Sequence, residues 1–239
     1  MTSISRKARI AGFLYLLLAA LGPFLLIYVP SALVVTGNPS ATAANIQTHE
    51  TLLRLGIASD VVGGVLGLAV ALALYSLFET VDVKLAWLVV ILGGILPCAI
   101  YFLNSLNWFA ALVLVHGDSI APAFVGPQRD ELVMLFMRLH HYGVIVSLVF
   151  AGLWLLPIGA LVIRSGFIPK LLGWWLVLAG ISWLAQSLTP IVLPQYADIV
   201  DNIGFPFGLG EVAFLLWLLV MGAKEPQPRP AQWGPSPTP

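Results

Sequence analysis

Residues 55–78 read LGIASDVVGGVLGLAVALALYSLF, a long apolar run with one charge, Asp60. As a helix it is about 36 Å long, enough to cross a hydrocarbon core of about 30 Å. Working outward, five further runs have the same character, at about 10–29, 85–107, 142–163, 171–188 and 205–223. The third stays apolar as far as Val115. Of the 239 residues, 59% are hydrophobic and 9% are charged, with a mean hydropathy of +0.97. Soluble domains average about 25% charged residues, so lipid must be the solvent for much of this chain. The expected fold is all-α: an integral membrane bundle of six transmembrane helices over residues 1–223. The remaining stretch, 224–239, is proline-rich and is expected to form a disordered cytoplasmic tail.

Charge placement gives an orientation. With the N-terminus inside, the inner segments hold Arg6, Lys7, Arg9, Lys84, Arg164, Lys170, Lys224 and Arg229, whereas the outer side holds Arg54, Arg129 and Arg138. The positive-inside rule then puts both termini in the cytoplasm. All four histidines and eight of the eleven acidic residues fall on the outer side. Trp87, Trp174 and Trp175 fit an inner interfacial belt, and Trp108 an outer one. The first run is longer than the apolar part of a typical signal peptide and is read as a retained span.

The inner loops are short and the outer loops long, so variable structure is expected outside. A helix capped by Ser40 is expected to run on into the second span. Pro127, followed by Asp130 and Glu131, has the form of a helix start. A helix over about 127–163 would be about 55 Å long and would project beyond the outer face.

The polar residues of the spans gather in the outer third. At 100° per residue, Gly64, Gly67 and Ala71 share a face with Asp60, which turns that carboxylate toward protein. Gly93, Pro97, Asn104, Asn107 and Ala111 form a second stripe; Gly204, Gly208 and Glu211 form a third. Glu131 and Arg138 are seven apart and share a face of the projecting helix. His141 lies about 60° from Arg138 and His140 about 160° away, which favours His141 as the inward histidine. The expected site is an outward-open cup of Asp60, Asn104, Asn107, Glu131, Arg138, His141, Gln186 and Glu211 over an apolar floor. Buried charges in a membrane cost at least about 2.5 kcal/mol each, so they require a reason. One reason is structural: Asp60 and Glu211 pairing with Arg54 and Arg138, and the amides bonding across helices. The other is a ligand, and Arg138 suits an anionic one.

Other chemistries find little support. His49, His116 and His141, with Glu50 and Asp118, are weak metal candidates, because no H-x-x-x-H or H-E-x-x-H spacing occurs. No cofactor is expected. There is no nucleophile elbow, phosphate loop or dinucleotide-binding glycine pattern. A net charge of zero argues against nucleic acid. The single cysteine, Cys98, excludes an intrachain disulfide and reads as a small packing residue.

The stretch Gly152-Leu-Trp-Leu-Leu-Pro157-Ile-Gly159, followed by Arg164-Ser-Gly-Phe-Ile-Pro169-Lys-Leu-Leu-Gly173, resembles the signature of an uncharacterised bacterial membrane family, domain of unknown function 4386. Ala8-Arg9-Ile-Ala-Gly12 and Gly210-Glu211 are similar to it as well. The resemblance covers about residues 6–224 and implies six spans in a prokaryotic membrane, with no established activity. Physically, Arg164 and Lys170 anchor a cytoplasmic loop, Gly166 permits its turn and Pro169 starts the fifth span.

Function is therefore expected to be that of a non-enzymatic binding or accessory protein of the bacterial cytoplasmic membrane. Its partners would be membrane lipids and a small molecule, ion or lipid headgroup at the outer cup. A membrane enzyme using His141 with Glu131, Asp60 or Glu211 as acid and base is the alternative, and a transporter a weaker one.

Overall fold

The computed structural model describes residues 3–116 and 124–223. The proline-rich tail and Asp118 lie outside the described residues. Among those described there are seven helices and no strand: α1 (Ser3–Leu33), α2 (Pro39–Thr48), α3 (Glu50–Phe78), α4 (Val83–His116), α5 (Pro127–Ser165), α6 (Lys170–Val192) and α7 (Pro194–Val220). All but α2 are long and apolar enough to cross a membrane. The protein is an all-α, multi-pass integral membrane protein. The spans are longer than expected at both ends of the first and third, because the interfacial turns continue the helices rather than ending them.

The six spans close into a ring in chain order: α1 packs on α3, α3 on α4, α4 on α5, α5 on α6, α6 on α7, and α7 returns to α1. Glycines set the closest seams. A Cβ at Gly152 would meet the Gly180 carbonyl oxygen at 2.7 Å, and one at Gly159 the Gly173 carbonyl oxygen at 2.7 Å. Two glycines seven residues apart on α5 thus face two seven apart on the antiparallel α6. Small residues let the backbones approach where no hydrophobic force between helices is available in lipid.

Local chemistry explains the helix ends. Asp82 accepts from the backbone N–H groups of Lys84 and Leu85 and caps α4. Gly166 takes φ 71° at the end of α5, and Phe167 and Ile168 then turn into the core, Phe167 stacking on Phe78. Arg164 donates to Asp82 at 2.8 Å, tying the 78–83 and 165–170 turns together at the end of the bundle that carries both chain ends. The family-like stretch is therefore a clasp between two hairpins.

The expectation for α2 needs correction. Its cap is Asn38, which accepts from Ala41 N–H at 3.0 Å, with Pro39 in the first turn, not Ser40. The helix breaks at His49, where φ −116° and ψ 38° interrupt it before α3 begins. The break lets α2 fold back onto α5. Two apolar cores result. One fills the ring toward the end that holds Ala8, Phe78 and Leu218; the other joins α2 to the adjoining ends of α1, α3, α4 and α5 around Ile46, Leu53, Trp108 and Val133. Trp108, expected at the interface, belongs to this second core and is 1% exposed. It fits because Gly56 on α3 leaves room for the indole.

Two helices carry π-type turns, at Phe24–Tyr28 in α1 and Ile91–Ile95 in α4. Pro30 follows the first and Pro97 the second, each two residues beyond the turn. Each proline lacks a backbone N–H, and the wider turns absorb the break in the hydrogen-bond ladder. Both irregular segments face the interior described next.

Candidate functional site

The ring encloses a cavity of about 610 Å³ lined by side chains from all six spans. That volume lies within the usual range for small-molecule pockets. Most of its wall is apolar or glycine, and its polar groups form two separate sets.

The first set is Asp60 on α3 and His140 on α5. His140 Nε2 lies 2.7 Å from Asp60 Oδ2, and the two residues are 4% and 2% exposed. The imidazole stacks on Trp108, with ring centroids 3.7 Å apart and planes 16° from parallel. Asn104 donates through Nδ2 to the His140 carbonyl at 3.0 Å, and Asn107 donates in turn to Asn104. The histidine ring is thus fixed by a carboxylate at its edge, an indole on its face and an amide at its backbone.

The second set centres on Glu211 of α7. The Tyr15 hydroxyl of α1 donates to Glu211 Oε1, and Trp183 Nε1 of α6 donates to Oε2 at 3.2 Å. The Tyr15 ring also packs against Trp154, at 5.4 Å between centroids. Gln186, on the same face of α6 as Ser182, donates to the Ser182 hydroxyl at 3.0 Å and lines the cavity. Tyr101 of α4 and Ser147 of α5 complete the polar lining.

Of the residues singled out from sequence, Asp60, Gln186 and Glu211 line the cavity; Asn104 and Asn107 stand behind His140. Glu131, Arg138 and His141 do not join them, and all three are exposed. The inward histidine is His140. The inference to His141 took Arg138 as the inward reference, and the helix has the opposite phase. Arg138 therefore offers no anion site inside the ring. The ion pairs expected for the buried carboxylates are also absent: Asp60 pairs with His140, and Arg54 pairs with Glu50 one turn away on α3. His49 contacts the Asn45 carbonyl, and His116 bonds to Glu50 and to the Leu112 carbonyl. They do not converge with His141, and no group of three or more His, Cys, Asp or Glu with metal-binding geometry occurs among the described residues.

Sequence reasoning missed Tyr15, Tyr101, Trp183 and His140. For His140 a signal was present. Val133, Met137, His140, Val144, Ser147, Ala151 and Trp154 alternate by four and three residues, the spacing of one buried helix face. Arg138 and His141 lie off that stripe. Nothing in the sequence distinguishes Tyr15 or Trp183 from other aromatic residues in spans.

The sequence profile of a family described as "Domain of unknown function (DUF4386)" matches residues 10–222. The chain belongs to the DUF4386 family. Membership brings an architecture and no activity. An uncharacterised protein of Archaeoglobus fulgidus is similar to this DUF4386 chain, at 32% identity over 76 residues. The match covers 32% of this chain and 44% of that relative, so the chain spans under half the length of the protein it matches. No solved structure matches the chain.

Proposed function

We propose that this integral membrane protein is a non-enzymatic binding or accessory protein that holds a small ligand inside its ring of spans. The observation that carries this reading is the 610 Å³ cavity with two fixed sets of polar groups in a mostly apolar wall. Buried carboxylates are costly in a membrane, and here each is held ready by neighbours rather than neutralised by arginine or lysine. The eight-to-three distribution of basic residues supports cytoplasmic termini; the location proposed with it is a bacterial plasma membrane. The cavity then belongs to the outer part of the bilayer. Its closure toward the chain ends favours binding over transport.

Filling the cavity tests this. A Cβ added at Gly208 meets nothing within 4 Å, so Gly208→Leu places atoms in the cavity without a backbone clash. Lipids and small molecules extracted from purified wild type and from Gly208→Leu are compared by mass spectrometry. A species present in the first and missing from the second is expected. Identical extracts defeat the reading.

The Asp60–His140 pair favours a second reading, acid–base catalysis on the same ligand, since a carboxylate-oriented imidazole is the usual arrangement for moving a proton. It requires that Asp60→Asn or His140→Gln protein retain a chemically different species from the one wild type retains. The same species in all three would leave binding alone.

A further inference from the structure

We propose that the ligand is a cationic amphiphile, an ammonium group on an apolar body, taken up from the lipid through a lateral gap between α1 and α7. This rests on the cavity being a ligand site and adds the ligand's chemistry and route.

The charge of the lining comes first. Asp60 and Glu211 face the cavity, and no lysine or arginine does among the described residues. Among the described residues that line it, the one group able to supply positive charge is His140, already committed to Asp60 and stacked on Trp108. An anionic head would meet two carboxylates in a low-dielectric space without a compensating cation. An ammonium is favoured, most directly by Glu211, whose partners are neutral donors. Glu211 accepts one bond at each oxygen, and each carboxylate oxygen has a second acceptor site, so Tyr15 and Trp183 hold the group without exhausting it. Tyr101, Trp154 and Trp183 also line the cavity, and aromatic rings attract cations in desolvated sites.

The route follows from how α1 and α7 meet. Near the chain ends they are in tight contact: a Cβ at Gly12 would lie 2.6 Å from the Leu219 amide nitrogen, and one at Gly222 2.5 Å from Ser5 Oγ. Toward the other end they part. Gly22 on α1 and Gly208 on α7 have nothing within 4 Å of an added Cβ. There, Leu26 and Phe205 both line the cavity and stand 53% and 70% exposed. With the helices parted and these large apolar side chains so exposed, the proposed mouth lies here, apolar and turned to lipid. It admits a hydrocarbon chain and places the head beside Glu211.

The test uses the full chain in lipid nanodiscs, titrated with decylamine, 1-decanol and decanoate, and read by tryptophan fluorescence and thermal unfolding. Decylamine is expected to bind about tenfold more tightly than decanol, with decanoate weakest. Gly208→Leu should remove the binding of all three. Glu211→Gln should reduce the preference for the amine and leave decanol unchanged. Decanol or decanoate binding as well as decylamine, with all binding lost in Gly208→Leu, overturns the ligand class and leaves the cavity reading standing. Responses that persist unchanged in Gly208→Leu overturn both. Lysophosphatidylethanolamine in the same titration separates the two sources of ammonium: competition equal to that of decylamine assigns the site to an aminolipid headgroup, and weaker competition to a free lipophilic amine.

Discussion

His140 shows how much rests on the phase of one helix. Removing its ring would leave Asp60 buried without its partner and would empty the space against Trp108. Loss of one member of a buried pair costs about 3–5 kcal/mol. His140→Ala is therefore expected to lose about that much stability, and His141→Ala, one residue on and exposed, to stay within about 0.5 kcal/mol of wild type. Denaturant unfolding in detergent, followed by tryptophan fluorescence, measures both. Equal effects would mean that the two histidines are equivalent. The same residues show what was legible in the sequence. Asp60 could be placed because glycines and alanine mark its face. His140 could have been placed from the alternating stripe beneath it, but a charged neighbour supplied the wrong reference. Tyr15 could not be placed, since its role depends on Glu211 nearly two hundred residues away, and no local pattern encodes that meeting.

At the scale of elements, the α5–α6 hairpin depends on paired glycines and the α1–α7 pair on one tight end. Gly152→Leu drives a side chain into the Gly180 carbonyl and Leu184, which cannot both move aside. A cost of about 2–3 kcal/mol is expected, read as a lower unfolding midpoint. Gly208→Leu, the same substitution facing open space, should leave that midpoint nearly unchanged. Asn38→Ala removes the cap of α2 and should cost about 1 kcal/mol. The loss should appear as faster amide exchange confined to α2, and loss of protection across the spans would contradict the described break at His49. The spans themselves were legible, because hydropathy over twenty residues is an unambiguous signal. The start of α5 was legible too, since Pro127 fits a first-turn position. The break between α2 and α3 was not: His49 carries no proline or glycine to announce it, and it forms because α2 gains contacts by folding back on α5.

At the scale of the molecule, the ring and its orientation are separate matters. Chain-order packing gives the ring; the proposed sidedness rests on the distribution of basic residues. In a Cys98→Ser background, Thr48→Cys is expected to react with a membrane-impermeant maleimide in intact cells, and Lys84→Cys to react only after lysis. The reverse pattern would turn the cavity toward the cytoplasm without altering its geometry.

The 39-residue helix α5 is about 58 Å long, nearly twice the hydrocarbon thickness. Its surplus carries the second apolar core, so this one chain is folded by two solvents. The bundle relies on close packing within lipid, whereas the region around α2 is driven together by water. Urea should therefore loosen the α2 region at concentrations that leave the spans intact. Cooling, which weakens the hydrophobic force, should act in the same order. Because His140 sits on Trp108 at the join between these two halves, partial melting of the water-driven half would free the roof of the pocket while its floor stayed shut.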